Sequence, residues 1–589
     1  MKVWRTMSII LLSMVLLLFP VSCQQPGETS DTPNETDDSG NEGDSYSGPM
    51  VLSEVPSPLK DPFEKYDPAI DVTTIHAASD GAFWFPEGDS LENNIYTRTY
   101  SERLGINYSF LWTCPGSQYS EKMNIMLTSG DIPDVMSVDR TTFEKLYRAD
   151  MIEDLTVPII EYASEYTRKY LTGDYAGLLE AVTKDGKYYG IPNGFTYHDT
   201  GNMIWLRKDW LDKLDLEVPE TLEDLEVIMD AFVAGDPDEN GEDDTYAVAL
   251  NCSSMQTWEW GLNVSFYNIF HSYPNIWYKA SDGSIEHGMF GKDSRETTRN
   301  ALIKANEYYN KGYISQDFAT MDFDMRNEDI FNGKSGIVFA DLWGAYWPLI
   351  LHKDVDANAD WIPIPTVSAT DEPAKNGATA ASINNILVVR KGFEHPEALI
   401  KMSNLYHDLN NNPETMEFAE YNTWPSDSNQ IFLAYPLLIY NPSFNYEGYL
   451  QISEAEKTGK TEGLCEAYKM FYDQAMDYKE NGTSGGWPPY RSYMSEFSSL
   501  SVVDTYIKEK RIVFNEYTAD PTEFMIENEP TVKKLFDEML INVIAGKADI
   551  SAYDEFIQQW DEIYGDTATK EVNDWFTTNG SHSIQDQFQ

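Results

Sequence analysis

The densest group of oxygen ligands in the sequence is the stretch DPDENGEDDTY, residues 236–246. It places acidic side chains and an Asn around Gly241, and carboxylate and amide oxygens are the ligands that Ca²⁺ prefers. The same group could instead serve acid–base chemistry, or it could be an Asx-rich turn with its carboxylates in water. Which of these applies depends on the elements that hold the stretch.

Counting as in an EF-hand loop gives five ligand positions in this stretch, at Asp236, Asp238, Asn240, Glu242 through its carbonyl, and Asp244. The twelfth position is Ala247, so the bidentate Glu of an EF-hand is missing, and Thr245 or a water would have to complete the shell. Carboxylates this close repel one another unless a cation lies between them. We therefore predict a structural Ca²⁺ at these five residues.

Catalytic motifs are missing from the sequence. The eight histidines form no HExxH pair, and there is neither a G-x-S-x-G elbow nor a GxxxxGK[ST] phosphate loop. Paired carboxylates could support glycoside hydrolysis, but adjacency carries little information in a chain with 97 acidic residues. We expect no enzyme activity, and a secreted glycoside hydrolase is the enzymatic alternative.

Aromatic residues beside Gly, Pro and polar residues favour sugar binding. The apolar C–H face of a sugar ring lies against an aromatic plane, while its hydroxyls need fixed polar partners. For any single Trp, packing in the core is the competing interpretation. The predicted ligand-binding residues are Trp343, Trp84, Trp424, Trp487, Tyr197 and Trp258.

Composition narrows the class of ligand. The chain has 589 residues and a formal charge of −55, from 97 acidic and 42 basic residues. Such a charge repels polyphosphate, so we expect no nucleic-acid partner and favour a neutral ligand.

The N-terminus reads MKVWRTMSIILLSMVLLLFPVSC, with Lys2 and Arg5 before a short apolar run. This pattern is typical of a secretory signal peptide over residues 1–23. Its end resembles a bacterial lipoprotein site, in which Cys23 would carry the lipid that anchors the protein to the outer face of the cytoplasmic membrane. Pro20 stands where such sites usually have Leu, so a plain signal peptide is the alternative. Residues 24–65 are predicted to be a disordered acidic tether.

Helical and strand-like patterns alternate through the body of the chain, which indicates an α/β fold. TLEDLEVIMDAFVAG shows the helical pattern, with a possible capping box from Thr221 to Asp224 and one apolar face. YAVAL, residues 246–250, follows the acidic stretch and is predicted to be a short strand. The acidic stretch therefore joins a helix to a strand, unlike an EF-hand.

Six segments resemble extracellular solute-binding proteins of family 1, in the large lipoprotein branch that serves ABC importers. In family order they are SGDIPDVM (129–136), YYGIPNG (188–194), IWLRKDWLDKLDLEVPETLEDL (204–225), GKSGIVFADLW (333–343), INNILVVRKGFEHPEALIKMSNLY (383–406) and INVIAGKADISAYDEFIQQWDEIYG (541–565). GDIPD and GIPNG each place a rigid Pro among flexible or acidic residues, so we interpret both as structural turns. Trp343 ranks first among the aromatic candidates because the matching family segment commonly reaches the ligand.

The resemblance implies a two-lobed periplasmic-binding-protein-like fold, with hinge strands and a ligand cleft between the lobes. The expected bounds are 66–192 and 381–430 for lobe 1, 193–380 and 431–576 for lobe 2 with the C-terminal helices, and 577–589 for a flexible tail. The implied function is to bind a sugar or oligosaccharide and deliver it to an ABC permease. A glycan-capture lipoprotein of the helical-repeat type is the alternative binding protein.

Overall fold

The computed structural model describes residues 51–55, 57–77, 88–172, 176–199, 201–242, 244–252, 264–378, 381–422, 437–519, 521–579 and 583–588. All of them lie in one compact unit, Pro49–Gln589. None of the described helices is both long and apolar enough to cross a membrane.

The strands are β1 Ile70–Ala77, β2 Ile106–Cys114, β3 Val135–Val138, β4 Thr183–Lys184, β5 Lys187–Tyr188, β6 Ile191–Thr196, β7 Met203–Arg207, β8 Tyr246–Val248, β9 Trp277–Lys279, β10 Ile285–His287, β11 Ser335–Ala340, β12 Trp361–Ile364, β13 Asn376–Ala378, β14 Ala381–Val389 and β15 Ile512–Phe514. β1 pairs in parallel with β2, and β14 lies between β3 and β6 in an antiparallel sheet. A four-stranded sheet has the order β12-β7-β11-β8, in which β11 and β8 are parallel. Three further pairs are β4–β5, β9–β10 and β13–β15.

The α-helices are Ile95–Thr99, Gly116–Ser129, Arg140–Arg148, Thr156–Tyr162, Glu165–Thr172, Ala176–Ala181, Lys208–Lys213, Leu222–Ala234, Val264–Ile269, Arg295–Asn310, Phe323–Phe331, Leu349–Val355, Glu397–Asn410, Phe418–Asn422, Phe444–Thr458, Glu466–Asn481, Trp487–Pro489, Ser499–Lys508, Glu523–Ile544, Ser551–Trp560, Asp566–Asn579 and Ile584–Phe588. Short 3₁₀ turns lie at Leu52–Glu54, Tyr197–Asp199, Leu342–Ala345 and Ser484–Gly486. Single π-helical turns lie at Tyr100–Leu104, Tyr490–Met494 and Asp561–Gly565.

The four-stranded sheet is buried on both faces. Along β7, Ile204 and Leu206 face one apolar core, while Met203 and Trp205 face a second core. This alternation places helices against each face, as an α/β layer structure requires. β11 approaches its covering helices so closely that a Cβ added to Gly336 would lie 2.3 Å from the Phe232 ring.

The helix before the acidic stretch confirms its sequence prediction. It spans Leu222–Ala234, and Thr221 and Asp224 form the predicted capping box. Its buried residues are Leu222, Leu225, Ile228, Met229 and Phe232, which is the predicted apolar face. β8 follows the acidic stretch, so the helix-to-strand setting is also confirmed.

The turn SGDIPDVM connects three strands. The Asp134 carboxylate accepts bonds from the Thr73 amide at 3.0 Å and the Thr73 hydroxyl at 2.6 Å. Its other oxygen pairs with Arg390 Nη2 at 2.8 Å, beyond the end of β14. Asp134 therefore joins β1, β3 and β14, and this turn has the structural role that was expected.

The second Pro-containing segment, GIPNG, enters β6. Gly190 lies so close to β14 that an added Cβ would be 2.6 Å from the Ile386 side chain. Asn193 is fully buried, donates to Asn385 Oδ1 at 2.6 Å and accepts from the Tyr440 amide at 2.7 Å. These contacts fix β6 against β14 and against the segment that contains Tyr440.

The predictions for the two ends of the chain are wrong in part. The tether prediction over 24–65 fails near its end, because Leu52 and Val55 are buried and the Leu52 amide donates to the Tyr188 hydroxyl at 3.2 Å. The tail prediction over 577–589 fails because residues 583–588 pack through their contacts with Glu516. This carboxylate accepts from the Ser583 hydroxyl at 2.6 Å and from the Ile584 amide at 2.9 Å.

Candidate functional site

The acidic stretch forms a closed turn around Gly241, whose φ is +76°. The side-chain nitrogen of Asn240, Nδ2, donates to Asp238 Oδ2 at 2.8 Å and to Asp244 Oδ1 at 3.0 Å. The Gly241 amide reaches Asp236 Oδ2 at 3.3 Å. Burial and the neighbouring Asp236 carboxylate raise the pKa of Asp238. Asn240 therefore joins Asp238 and Asp244, and Asp236 contacts the same turn through the Gly241 amide.

Two oxygens in this turn lack a hydrogen-bond donor. Asp236 Oδ1 and Thr245 Oγ1 are both buried and unpartnered. Buried oxygens are normally satisfied, so such a pair fits a cation as the missing partner. In the described part of the chain, however, no cluster of three or more His, Cys, Asp or Glu side chains has the arrangement of a metal site. The residue types and the two orphan oxygens fit Ca²⁺, whereas the side-chain arrangement is not that of a closed ligand shell.

Half-buried aromatic rings lie where the chain passes from β6 to β7. The Tyr197 ring stacks on His198 at 4.1 Å, and His198 stacks on Tyr446 at 5.3 Å. The edges of Phe514 and Phe588 lie against Tyr197. These rings are positioned by the short turn Tyr197–Asp199 and by the start of the helix Phe444–Thr458.

The same region contains a second stacked pair, Phe195 on Tyr440 at 4.9 Å, and Tyr449 stacks beside Tyr446 at 6.4 Å. We call this group the crossing aromatics, defined as Phe195, Tyr197, His198, Tyr440, Tyr446 and Tyr449. Each member is partly exposed. Only Tyr197 was predicted, because the sequence criterion selected mainly tryptophans. The ring-rich segments FTYHD and FNYEGY contain the others except Tyr440.

A second aromatic group follows the carboxyl end of β11. Asp341 caps the turn Leu342–Ala345 by accepting from the Trp343 amide at 2.9 Å. The Trp343 ring is partly exposed and meets Tyr346 edge-on at 5.9 Å. Trp347, 37% exposed, stacks on Phe323 at 5.2 Å. Because β11 and β8 are parallel, their carboxyl ends share one edge, which is where open α/β sheets bind ligands.

The remaining aromatic predictions have different outcomes. Trp487 is 0% exposed in the second core, and this burial favours packing over ligand contact. Trp84, Trp258 and Trp424 lie outside the described residues, as does Cys23. Trp205, Trp210 and Trp560 are buried in the two apolar cores.

Asp199 and Asp341 have raised pKa values, as catalytic acids often do. Burial raises the pKa of Asp199 to about 7, although it accepts from Asn445 Nδ2 at 2.9 Å and from the Tyr446 amide at 3.2 Å. Burial also raises the pKa of Asp341 to about 6. Asp199 uses both oxygens at the start of a helix, and Asp341 caps a 3₁₀ turn. Backbone capping therefore accounts for both residues.

Comparison with known proteins adds partial sequence matches. No known family model matches the chain. It is 30% identical to the lipoprotein LipO of Bacillus subtilis over 261 residues, 43% of this chain and 47% of LipO. It is 26% identical to the polygalacturonan/rhamnogalacturonan-binding protein YtcQ of the same organism over 235 residues, 39% of this chain and 43% of YtcQ. The matched regions thus span less than half the length of these relatives.

The fold match covers far more of the chain. A solved structure of the Streptococcus pneumoniae ABC-transporter substrate-binding protein FusA, an EF-hand mutant in complex with fructo-nystose, superposes with a TM-score of 0.58 at 16% identity. The superposition covers 87% of this chain and 100% of that one. FusA is also 33% identical over 145 residues, 23% of this chain and 26% of FusA. The fold is therefore the expected two-lobed binding-protein fold.

Proposed function

We propose that this chain, a homologue of bacterial solute-binding proteins with their two-lobed fold, binds an oligosaccharide and delivers it to the permease of an ABC importer. The observation that carries the proposal is the row of stacked, partly exposed rings at the passage from β6 to β7. Aromatic planes of this kind suit the apolar faces of sugar rings. The relatives' names support it as well, since FusA is a fructooligosaccharide transporter's binding protein and YtcQ binds polygalacturonan.

The proposed mechanism is closure of two lobes around the ligand. Lobe 1 would contain β3, β6 and β14, and lobe 2 would contain the sheet of β7, β8, β11 and β12. A ligand shifts the equilibrium towards the closed state only as far as it binds that state more tightly. A ligand that contacts the crossing aromatics and one further residue of each lobe satisfies this requirement. The permease would then recognise the closed form.

A pair of tyrosine variants tests the role of the crossing aromatics. Tyr197→Ala removes a ring of the stacked row and should weaken oligosaccharide binding about tenfold, equivalent to ~1.4 kcal/mol. Tyr147→Ala is the matched control, because Tyr147 also contacts a neighbouring ring, Tyr189, at 4.8 Å, but lies on the helix Arg140–Arg148. Isothermal titration calorimetry measures both. Equal affinities of the two variants would contradict the assignment.

We also propose that Ca²⁺ binds the acidic stretch, held by Asp236, Asp238, Asn240, Asp244 and the Glu242 carbonyl. The orphan oxygens of Asp236 and Thr245 support this, as does the EF-hand named for the FusA structure. The ion would stiffen the connection between the helix Leu222–Ala234 and β8. A chelator should lower the melting temperature of the parent but leave that of Asp238→Asn unchanged. An unchanged parent in both chelator and added Ca²⁺ would refute the site.

We further propose that the mature chain is secreted and anchored by lipid on Cys23. The name of LipO, a lipoprotein, supports a location at the membrane surface. Expression in a bacterial host with labelled palmitate should label the parent and not Cys23→Ser. Label on both proteins, or on neither, would contradict the anchor.

The relatives described above with a stated role are binding proteins, and we propose that this chain likewise has no enzyme activity. Backbone capping by Asp199 and Asp341 is the structural support, because it gives these two carboxyls with raised pKa values a structural role. Chromatography of glycans after incubation with the protein would detect any cleavage.

A further inference from the structure

A cavity of about 310 Å³ lies outside the regions already described. Its walls come from three parts of the chain: the segment 58–63, the start of the helix Glu165–Thr172, and the end of the helix Glu397–Asn410 with the turn after it. Neither the crossing aromatics nor the rings that follow β11 line it. A ligand in this cavity would therefore occupy a second site.

The walls are held together by one buried amide. Asn404 is 0% exposed, and its nitrogen donates to the Pro62 carbonyl at 3.0 Å and to the Tyr162 carbonyl at 2.8 Å. Its oxygen accepts from the Ser164 amide at 2.9 Å. All three parts of the chain thus meet at a fully satisfied side chain. The cavity is preorganised, so a ligand would not have to order its walls.

The lining combines carboxylates with aromatic rings. The lining residues include two acidic ones, Glu165 and Asp408, and two aromatic ones, Phe63 and Tyr166. Among the described lining residues there is no Lys, Arg or His. The nearby guanidinium of Arg103 is bound to both oxygens of Glu417 at 2.9 Å. Opposite charge and ring faces both attract an organic cation, and an anionic ligand would be repelled.

We propose that this cavity binds a small polyamine. Its volume equals that of about ten water molecules at ~30 Å³ each, which accommodates a flexible chain of spermidine size. One ammonium group would pair with Glu165 and another with Asp408, while the methylene groups would lie against Phe63 and Tyr166. Asn412, on the turn beyond the second carboxylate, offers a further polar group.

Occupation of the cavity would also stabilise the segment 58–63. This segment lies near the end of the stretch predicted as a tether, residues 24–65, and Lys60 already holds it to Glu161 at 2.8 Å. A ligand bridging Phe63 to Asp408 would add a further connection. Binding should therefore slow amide exchange in 58–63 without changing oligosaccharide affinity.

The test uses spermidine and the full folded chain. It is done at physiological ionic strength, because salt screens the general attraction of a polycation to a chain of charge −55. The pocket variant is Glu165→Gln with Asp408→Asn. The amide introduced by the second substitution still offers an oxygen to the Thr415 hydroxyl, which donates to Asp408 in the parent. The control variant is Glu462→Gln with Glu527→Gln, which removes the same charge from two exposed positions. Calorimetric titration measures affinity, and a thermal melt checks that both variants fold.

We expect one saturable spermidine site in the parent and in the control variant, with binding at least tenfold weaker in the pocket variant. Amide exchange in 58–63 should slow on adding spermidine to the parent and to the control variant, and not in the pocket variant. Equal binding by both variants would show that attraction is general to the charged surface and would overturn the proposal. The absence of a saturable site in the parent would overturn it as well.

Discussion

The substitution Asp134→Asn tests whether the SGDIPDVM turn is structural. The Asp134 carboxylate receives two donors from Thr73 and one from Arg390, and it joins three strands through them. Hydrogen bonds to a charged group contribute ~1.5–3 kcal/mol each. Arg390 is 36% exposed, so solvent screening reduces its share, and an Asn retains one acceptor. We therefore expect Asp134→Asn to lower the free energy of unfolding by ~2 kcal/mol.

The pH dependence of this loss follows from the pKa of Asp134. Burial alone would raise that pKa, but the bonds from Thr73 and Arg390 outweigh burial and lower it. A lowered folded-state pKa contributes stability that is fully present above the unfolded pKa of ~3.9 and is lost as the pH falls through the folded value. The difference in free energy of unfolding between the parent and Asp134→Asn should therefore be constant near neutral pH and shrink below about pH 4.

Urea unfolding measures the change in the free energy of unfolding, and amide exchange in β1 and β3 measures the local change in stability. Asp131→Asn is the matched control, because it lies in the same turn, is exposed, and should change stability by less than ~0.5 kcal/mol. Oligosaccharide affinity should be the same in both variants. If Asp134→Asn loses affinity at unchanged stability, the turn contacts ligand and the structural reasoning is refuted.

Three further predictions concern packing and charge. Gly336→Ala should lower the free energy of unfolding by ~2–3 kcal/mol, because the new Cβ would lie 2.3 Å from the Phe232 ring. Urea unfolding checks this, and an unchanged urea midpoint would contradict the close approach of β11 to Phe232. Asp199→Asn should become more stable relative to the parent as the pH rises from about 4 to 7, because a folded-state pKa raised to about 7 penalises the charged form of Asp199 over that window. Urea unfolding at several pH values checks this. A difference in free energy of unfolding that does not change with pH would contradict the raised pKa. Glu516→Gln should speed amide exchange in 583–588, because the 2% exposed carboxylate holds that segment, and unchanged exchange would show that other contacts hold it.

Local pattern was sufficient for several elements of the fold. The spacing of apolar residues and the Thr221 cap predicted the helix Leu222–Ala234, because both signals lie within the element itself. Pro and Gly marked the two structural turns for the same reason. The two-lobed fold followed from resemblance of segments spread over the chain, and the FusA superposition confirms it.

Contacts between distant residues could not be predicted in this way. Trp487 belongs to a core built from apolar residues of several helices and strands, so its Gly-Gly-Trp-Pro setting gave no sign of burial. The C-terminal segment packs because the Ile584 amide donates to Glu516. The two residues lie 68 positions apart, so the local sequence gives no sign of this contact. The crossing aromatics likewise combine residues from two segments about 245 positions apart, and each segment alone shows no more than a few tyrosines.

The most direct test of the central claim is calorimetric titration of the whole protein with kestose and with oligogalacturonides, followed by chromatography of the recovered glycan. The account predicts saturable binding of an oligosaccharide, about tenfold weaker in Tyr197→Ala than in Tyr147→Ala, with the glycan recovered intact. Released shorter products would contradict it, and so would binding that is indifferent to Tyr197.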